Sequence, residues 1–271
     1  MTQSTLPSLR YLQAALLRLS AGQAGELDTA ALQTLLSEEL SSATWSVLND
    51  PAVWAKPGPL LALQCSLYLA VAAGVNQSRT PLRAAELSAG LASLADRALE
   101  AGLPVAADLL VALGRGYLNR CDFAAAQASL ERALAADETR AEEAPRAVAR
   151  DLHSIGEIQQ ILGEFDAAAY SFERALAITK ANPSSPDHAR DLFALALLNK
   201  ERGAAQDALA ILEQVLQIDQ SQPQPDAAAL ARDHYGLGLV WQDLGDLEEA
   251  RGHLDQAVTL AEQTLGIYHP N

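Results

Sequence analysis

The chain has 271 residues, 49% of them hydrophobic but only 5% aromatic, and a formal net charge of −15. A nucleic-acid binder needs a basic face that displaces counterions, and no such face can be read in a chain this acidic. Ala and Leu supply most of the apolar mass, which favours closely packed helices over a sheet rich in Val, Ile, Thr and rings.

In chain order, residues 6–19 and 29–40 pattern as two amphipathic helices, the second capped by Asp28. Residues 44–59 hold Asn49-Asp50-Pro51 and Lys56-Pro57-Gly58-Pro59, which break any helix. Trp45 and Trp54 are expected to pin this connector to the first hairpin. Residues 1–58 are therefore an N-terminal helical cap with a Pro/Gly-rich connector. The start of the chain lacks a charged residue followed by an apolar run, so no signal peptide is expected. Residues 59–73 and 81–101 pattern as a helix pair, and 59–104 form one degenerate unit. Its most apolar stretch, Leu60 to Ala73, contains Gln64 and Ser66 and is too short to span a bilayer.

From residue 105 onward the chain repeats itself. Four segments align on a small residue: Leu113-Gly114, Ile155-Gly156, Leu195-Ala196 and Leu237-Gly238. These sites stand about forty residues apart. Seven residues after each comes a turn: Cys121-Asp122-Phe123, Gly163-Glu164-Phe165, Gly203-Ala204-Ala205 and Gly245-Asp246-Leu247. Then follow Ala126, Ala168, Ala208 and Ala250. Each unit reads as two antiparallel helices pressed together at the small residue, with a left-handed glycine closing the first helix. Cys121 departs from that glycine pattern. One hairpin cannot bury both apolar faces, so the next must cover it. Cys65 and Cys121 read as buried small hydrophobes rather than a disulfide or a metal pair.

Leu-Gly-x-x-Tyr, then Gly-Asp-aromatic, Ala and Ala-Leu, resembles the tetratricopeptide repeat. The long spacing and the ending Leu265-Gly266-Ile267-Tyr268-His269-Pro270 resemble the kinesin-light-chain-like subgroup. The resemblance implies an all-α fold, a right-handed α-solenoid of antiparallel helix pairs, with four repeats over 105–271. It also implies that first helices line a concave groove that binds another protein or a peptide. Residues 269–271 stand where a further repeat would begin. This reads as a piece of a longer solenoid, or as an end that self-associates.

Ala149-Arg150-Asp151-Leu152, Ala189-Arg190-Asp191-Leu192 and Ala231-Arg232-Asp233 recur one repeat apart. Three residues after each Arg come His153, Phe193 and Tyr235, one turn further along the same helix face. With Glu157 and Gln242 further along, these form the candidate groove: guanidinium forks for carboxylates beside rings for packing. The alternative reading is structural, because each Arg precedes an Asp and such charges could pair across adjacent repeats. His153, His188, His234, His253 and His269 form no metal motif, and His253 is expected in solvent. No phosphate loop, nucleophile elbow or other catalytic constellation is present, so neither an enzyme nor a cofactor is expected. The expected function is a cytoplasmic, bacterial protein-interaction scaffold. The alternative is a sensory module that takes a small ligand for a larger regulator.

Overall fold

The computed structural model describes Cys65 and residues 81–265. The expected N-terminal cap and connector, the helix over 59–73 apart from Cys65, and the Leu-Gly-x-x-His-Pro ending past residue 265 lie outside the described residues. Among the described residues there are nine α-helices and no strand: α1 (Pro81–Glu100), α2 (Val105–Leu118), α3 (Phe123–Glu138), α4 (Pro145–Ile161), α5 (Phe165–Thr179), α6 (Pro186–Glu201), α7 (Ala205–Gln220), α8 (Ala227–Leu244) and α9 (Leu247–Leu265). None of these helices is long and apolar enough to cross a membrane. The chain divides into two compact units, residues 1–139 and 140–271.

The first unit holds α1, α2 and α3. Helix α2 packs on both neighbours. Leu91, Ala95 and Ala98 of α1 and Leu109, Leu110 and Leu113 of α2 are buried.

The second unit stacks three hairpins, α4–α5, α6–α7 and α8–α9, with α5 against α6 and α7 against α8. Local chemistry sets the helix ends. Pro145 and Pro186 start α4 and α6, where a missing N–H costs nothing. Ser185 Oγ accepts from His188 N at 3.2 Å, and Asp226 Oδ1 from Ala228 N at 3.0 Å, each satisfying an orphan donor.

All four turns within hairpins close the same way. Asp122, Glu164, Ala204 and Asp246 donate their N–H to the carbonyls of Tyr117, Gln159, Asn199 and Trp241 at 3.0, 2.8, 2.8 and 3.1 Å. Such a bond from five residues back needs one left-handed residue before it. Gly163, Gly203 and Gly245 supply it with φ of 77, 81 and 86°. Cys121 supplies it in the first unit with φ 58°. The turn geometry, not the glycine, is the invariant of the repeat. Cys121 is exposed, so the expectation that it is a buried hydrophobe is corrected; its place in a left-handed turn keeps it off a helix face.

The small residues occupy equivalent settings. A methyl added to Gly114 would lie 3.0 Å from Leu130 Cγ, one on Gly156 2.6 Å from Phe172 Cε1, and one on Gly238 2.7 Å from Leu254 Cγ. Ala196 is fully buried in a cluster with Ala208 and Leu212. Each partner sits sixteen residues later, on the second helix of the same hairpin. There Ala126, Ala168 and Ala208 are 0% exposed and Ala250 4%.

Between hairpins the same logic recurs. Phe172 with Ala194 and Leu198, and Leu212 with Leu237 and Val240, form the joints. Phe193, Ala205 and Leu216 flank the second of these. Their counterparts one repeat on, Tyr235, Leu247 and Val258, are 53%, 69% and 57% exposed.

Candidate functional site

The N-terminal halves of α4, α6 and α8 carry Arg150-Asp151, Arg190-Asp191 and Arg232-Asp233. The helical register turns each Asp inward, and all three Asp are 0% exposed. A buried carboxylate needs charge and hydrogen bonds to offset its lost hydration. The preceding Arg supplies both. Arg150 Nε donates to Asp151 Oδ1 at 3.0 Å, Arg190 Nη2 to Asp191 Oδ1 at 3.1 Å, and Arg232 Nη2 to Asp233 Oδ1 at 2.7 Å. The arginines keep side-chain exposures of 32%, 32% and 33%. They are neither free groove cations nor buried.

The pairs also link repeats. Arg232 donates to Asp219 Oδ2 of α7 at 3.0 Å. Its guanidinium carbon lies 4.5 Å from the centre of the Phe193 ring of α6, a cation–π contact. Gly236, one turn on, leaves room for that ring, since a methyl there would meet Phe193 Cε2 at 2.9 Å. In the preceding joint the ring is His153, whose Nδ1 lies 3.0 Å from Asp191 Oδ1 of the next repeat and whose Nε2 lies 3.5 Å from Glu157. His153 also tilts on Phe172, with centroids 5.6 Å apart. Burial presses its pKa down, but the Asp191 and Glu157 carboxylates outweigh this and hold it above the usual imidazole value. Thus the ring of one first helix meets the Arg–Asp pair of the next.

The structure therefore gathers Arg150, Arg190 and Arg232 with their Asp partners and ties Phe193 and His153 into the joints. Tyr235, Gln242 and Glu157 stand exposed. Asp243 is engaged by Lys200 at 3.1 Å. Sequence reasoning missed the last turn of the second helices, where Thr179 and Asp219 are buried against the next pair. Thr179 Oγ1 lies 3.2 Å from Asp191 Oδ2 and 3.1 Å from His188 Nδ1. The signal was available, because Asp137, Thr179 and Asp219 recur at the repeat spacing. His253 is also corrected. It is half-buried, not solvated, with Nδ1 2.9 Å from Nδ1 of buried His234.

Asp219 and Asp233 place two carboxyl groups around one guanidinium. Burial, opposed by Arg232 and reinforced by the Asp219 carboxylate, raises the Asp233 pKa to about 6. The folded state then binds the Asp233 proton more tightly than the unfolded chain does. Stability from this group is present at low pH and is lost as pH rises from about 4 to about 6. Asp233→Asn removes that dependence. Its urea stability relative to the parent should rise by roughly 1–3 kcal/mol across this window and stay level above it. A difference independent of pH would refute the assignment.

An open hollow of about 570 Å³ is lined by Arg190 and Arg232 together with Asp187, Asp219, Gln222 and Gln224. It joins the starts of α6 and α8 to the end of α7 and the linkage after it.

Two tetratricopeptide repeat family models match the chain, at residues 148–221 and 235–271. Among solved structures, BtubC (BKLC) from P. vanneervenii matches with a TM-score of 0.65 and 20% identity, covering 91% of this chain and 95% of that one. A Podosopora anserina chain of kinesin-light-chain nearly identical TPR-like repeats matches with a TM-score of 0.58 and 20% identity, covering 73% and 95%. A single-residue variant of that Podosopora anserina chain matches with a TM-score of 0.62 and 19% identity, covering 78% and 99%. At these identities the likeness is one of fold. No curated protein sequence matches the chain.

Proposed function

We propose that this tetratricopeptide repeat protein, whose long repeats are of the kinesin-light-chain-like kind, holds a peptide or helical segment of another protein along the face of its first helices. Repeats of this family are interaction scaffolds, and that general role is the premise here. The carrying observation is that Arg190 and Arg232, from successive first helices, line one open hollow while buried Asp191 and Asp233 fix their geometry. A guanidinium already held by a carboxylate loses little entropy when a ligand meets its remaining surface. Helix α4 touches α6 and α6 touches α8, which supports a single row of exposed residues along the first helices. Tyr235 and Gln242 extend that row on α8, and Glu157 on α4. An open trough suits a polypeptide segment better than a small molecule.

The test uses dodecapeptides selected on the full chain from a random display library. Arg150→Lys, Arg190→Lys and Arg232→Lys together keep a charge beside each buried Asp but remove the planar fork. Tyr235→Ala with Gln242→Ala alters the exposed row alone. Each set should weaken the selected peptides at least tenfold by calorimetry. Unchanged affinity in both folded variants, or failure to select any peptide, would overturn the proposal.

A further inference from the structure

The second unit holds another hollow, of about 510 Å³, flanked by α7 and α9 with α8 between them. Glu213, Asp246 and Glu249 line it, together with Trp241, Leu216 and His253. No Lys or Arg lines it. Asp246 accepts the Glu249 backbone N–H at 3.2 Å, the ordinary duty of a helix cap. Among the described residues none of the three carboxylates has a cationic partner, whereas Asp187, Asp219, Asp233 and Asp243 each pair with a Lys or Arg.

The repeat supplies its own comparison. Trp241 stands where the two earlier repeats of this unit have Gln159 and Asn199, and His253 where they have Ser171 and Ile211; in the first unit the first of these sites is Tyr117, which Arg120 covers. Two repeats earlier Ser171 Oγ donates to Gln159 Oε1 at 2.7 Å, so polar side chains span the gap between the two helices. In the last repeat that bond is replaced by an indole and an imidazole, and His253 turns to His234 instead. The departure places an aromatic face and an apolar wall beside three carboxylates that, among the described residues, no Lys or Arg neutralises.

The geometry points to a docking hollow for an arginine side chain of a partner polypeptide, distinct from the first-helix face and independent of the function proposed for that face. A guanidinium stacks on an indole better than on any other ring, and its fork meets carboxylates two bonds at a time. Its methylene stem would lie along Leu216. A net charge of −15 steers a basic partner toward the chain before contact. The charge complementarity is thus local as well as global.

The probe is a hexapeptide alternating arginine and glycine, titrated into the full chain while the Trp241 indole N–H is followed by NMR, with Trp241→Phe assigning the signal. Its counterpart carries citrulline, which keeps the shape and removes the charge. The arginine peptide should shift the Trp241 signal saturably and the citrulline peptide should not. Glu213→Gln with Glu249→Gln, both at exposed positions, should weaken the response at least fivefold. Glu173→Gln with Asp207→Asn removes the same charges one repeat earlier, where Asn199 and Ile211 replace the aromatic pair, and should change it less than twofold. An unmoved Trp241 signal, an equal response to citrulline, or equal losses in the two double variants would overturn the assignment.

Discussion

Gly156→Val is expected to destabilise the second unit by about 3 kcal/mol or more, at the upper end of what overpacking costs. Even the first added carbon would lie 2.6, 2.8 and 2.9 Å from three atoms of the Phe172 ring. Phe172 is 0% exposed and cannot swing into solvent. Its ring is packed against Ala168, Ala194 and Leu198, so relief would have to come from moving α4 away from α5. That motion would also open the joint with α6. A loss of this size should appear as a clear fall in the urea midpoint. Gly116→Ala is the internal comparison, since its nearest neighbour is Ser88 Oγ at 3.7 Å. There the gain in helix propensity, about 0.5–1 kcal/mol, should prevail. Phe172→Leu should recover part of the Gly156 loss, because at the equivalent site Ala196, which does carry a methyl, is buried in one cluster with Leu212. A double-mutant cycle without coupling would separate the two sites.

Asp191→Ala is expected to cost about 2–4 kcal/mol. Breaking a buried, hydrogen-bonded charge pair usually costs about 3–5 kcal/mol. The lower figure allows for Arg190, which is partly exposed and keeps Asp187 at 3.5 Å. The larger part falls on Thr179 and His153, 7% and 8% exposed, which face the vacated carboxylate. His153 should report this directly. With Asp191 gone, burial is opposed by Glu157 alone among its carboxylate neighbours, and the imidazole pKa should fall. Asp191→Asn should cost less, since it keeps the shape and an acceptor. Stability and imidazole titration both unchanged in Asp191→Ala would show that the pair does not hold the joint.

The hairpins were legible because small residues about forty positions apart can only mark backbones in near contact. Gly114, Gly156, Ala196 and Gly238 all met a large side chain sixteen residues on. Cys121 was not legible as the fourth left-handed turn, since propensity argues against it and only the common turn bond reveals it. The Arg–Asp dipeptides were visible in sequence, where both pairing and ligand binding were open to them. What sequence could not supply was direction. Each Asp points into the helix joint, and the Arg folds over its own neighbour before reaching the previous repeat, as Arg232 reaches Asp219. The side chains of Phe193 and Tyr235 have the same place in the repeat. One lies under Arg232 and the other is open, a difference set by the helices packed around each ring and not by local pattern. The hollow beside Trp241 was illegible for a related reason, because its lining comes from three helices.

The most direct test of the binding face is amide hydrogen exchange on the full chain, with and without a dodecapeptide selected from the display library. Added protection should concentrate in the N-terminal halves of α4, α6 and α8 and the linkage after α7. Protection confined to α5, α7 and α9, with the first helices unchanged, would contradict it.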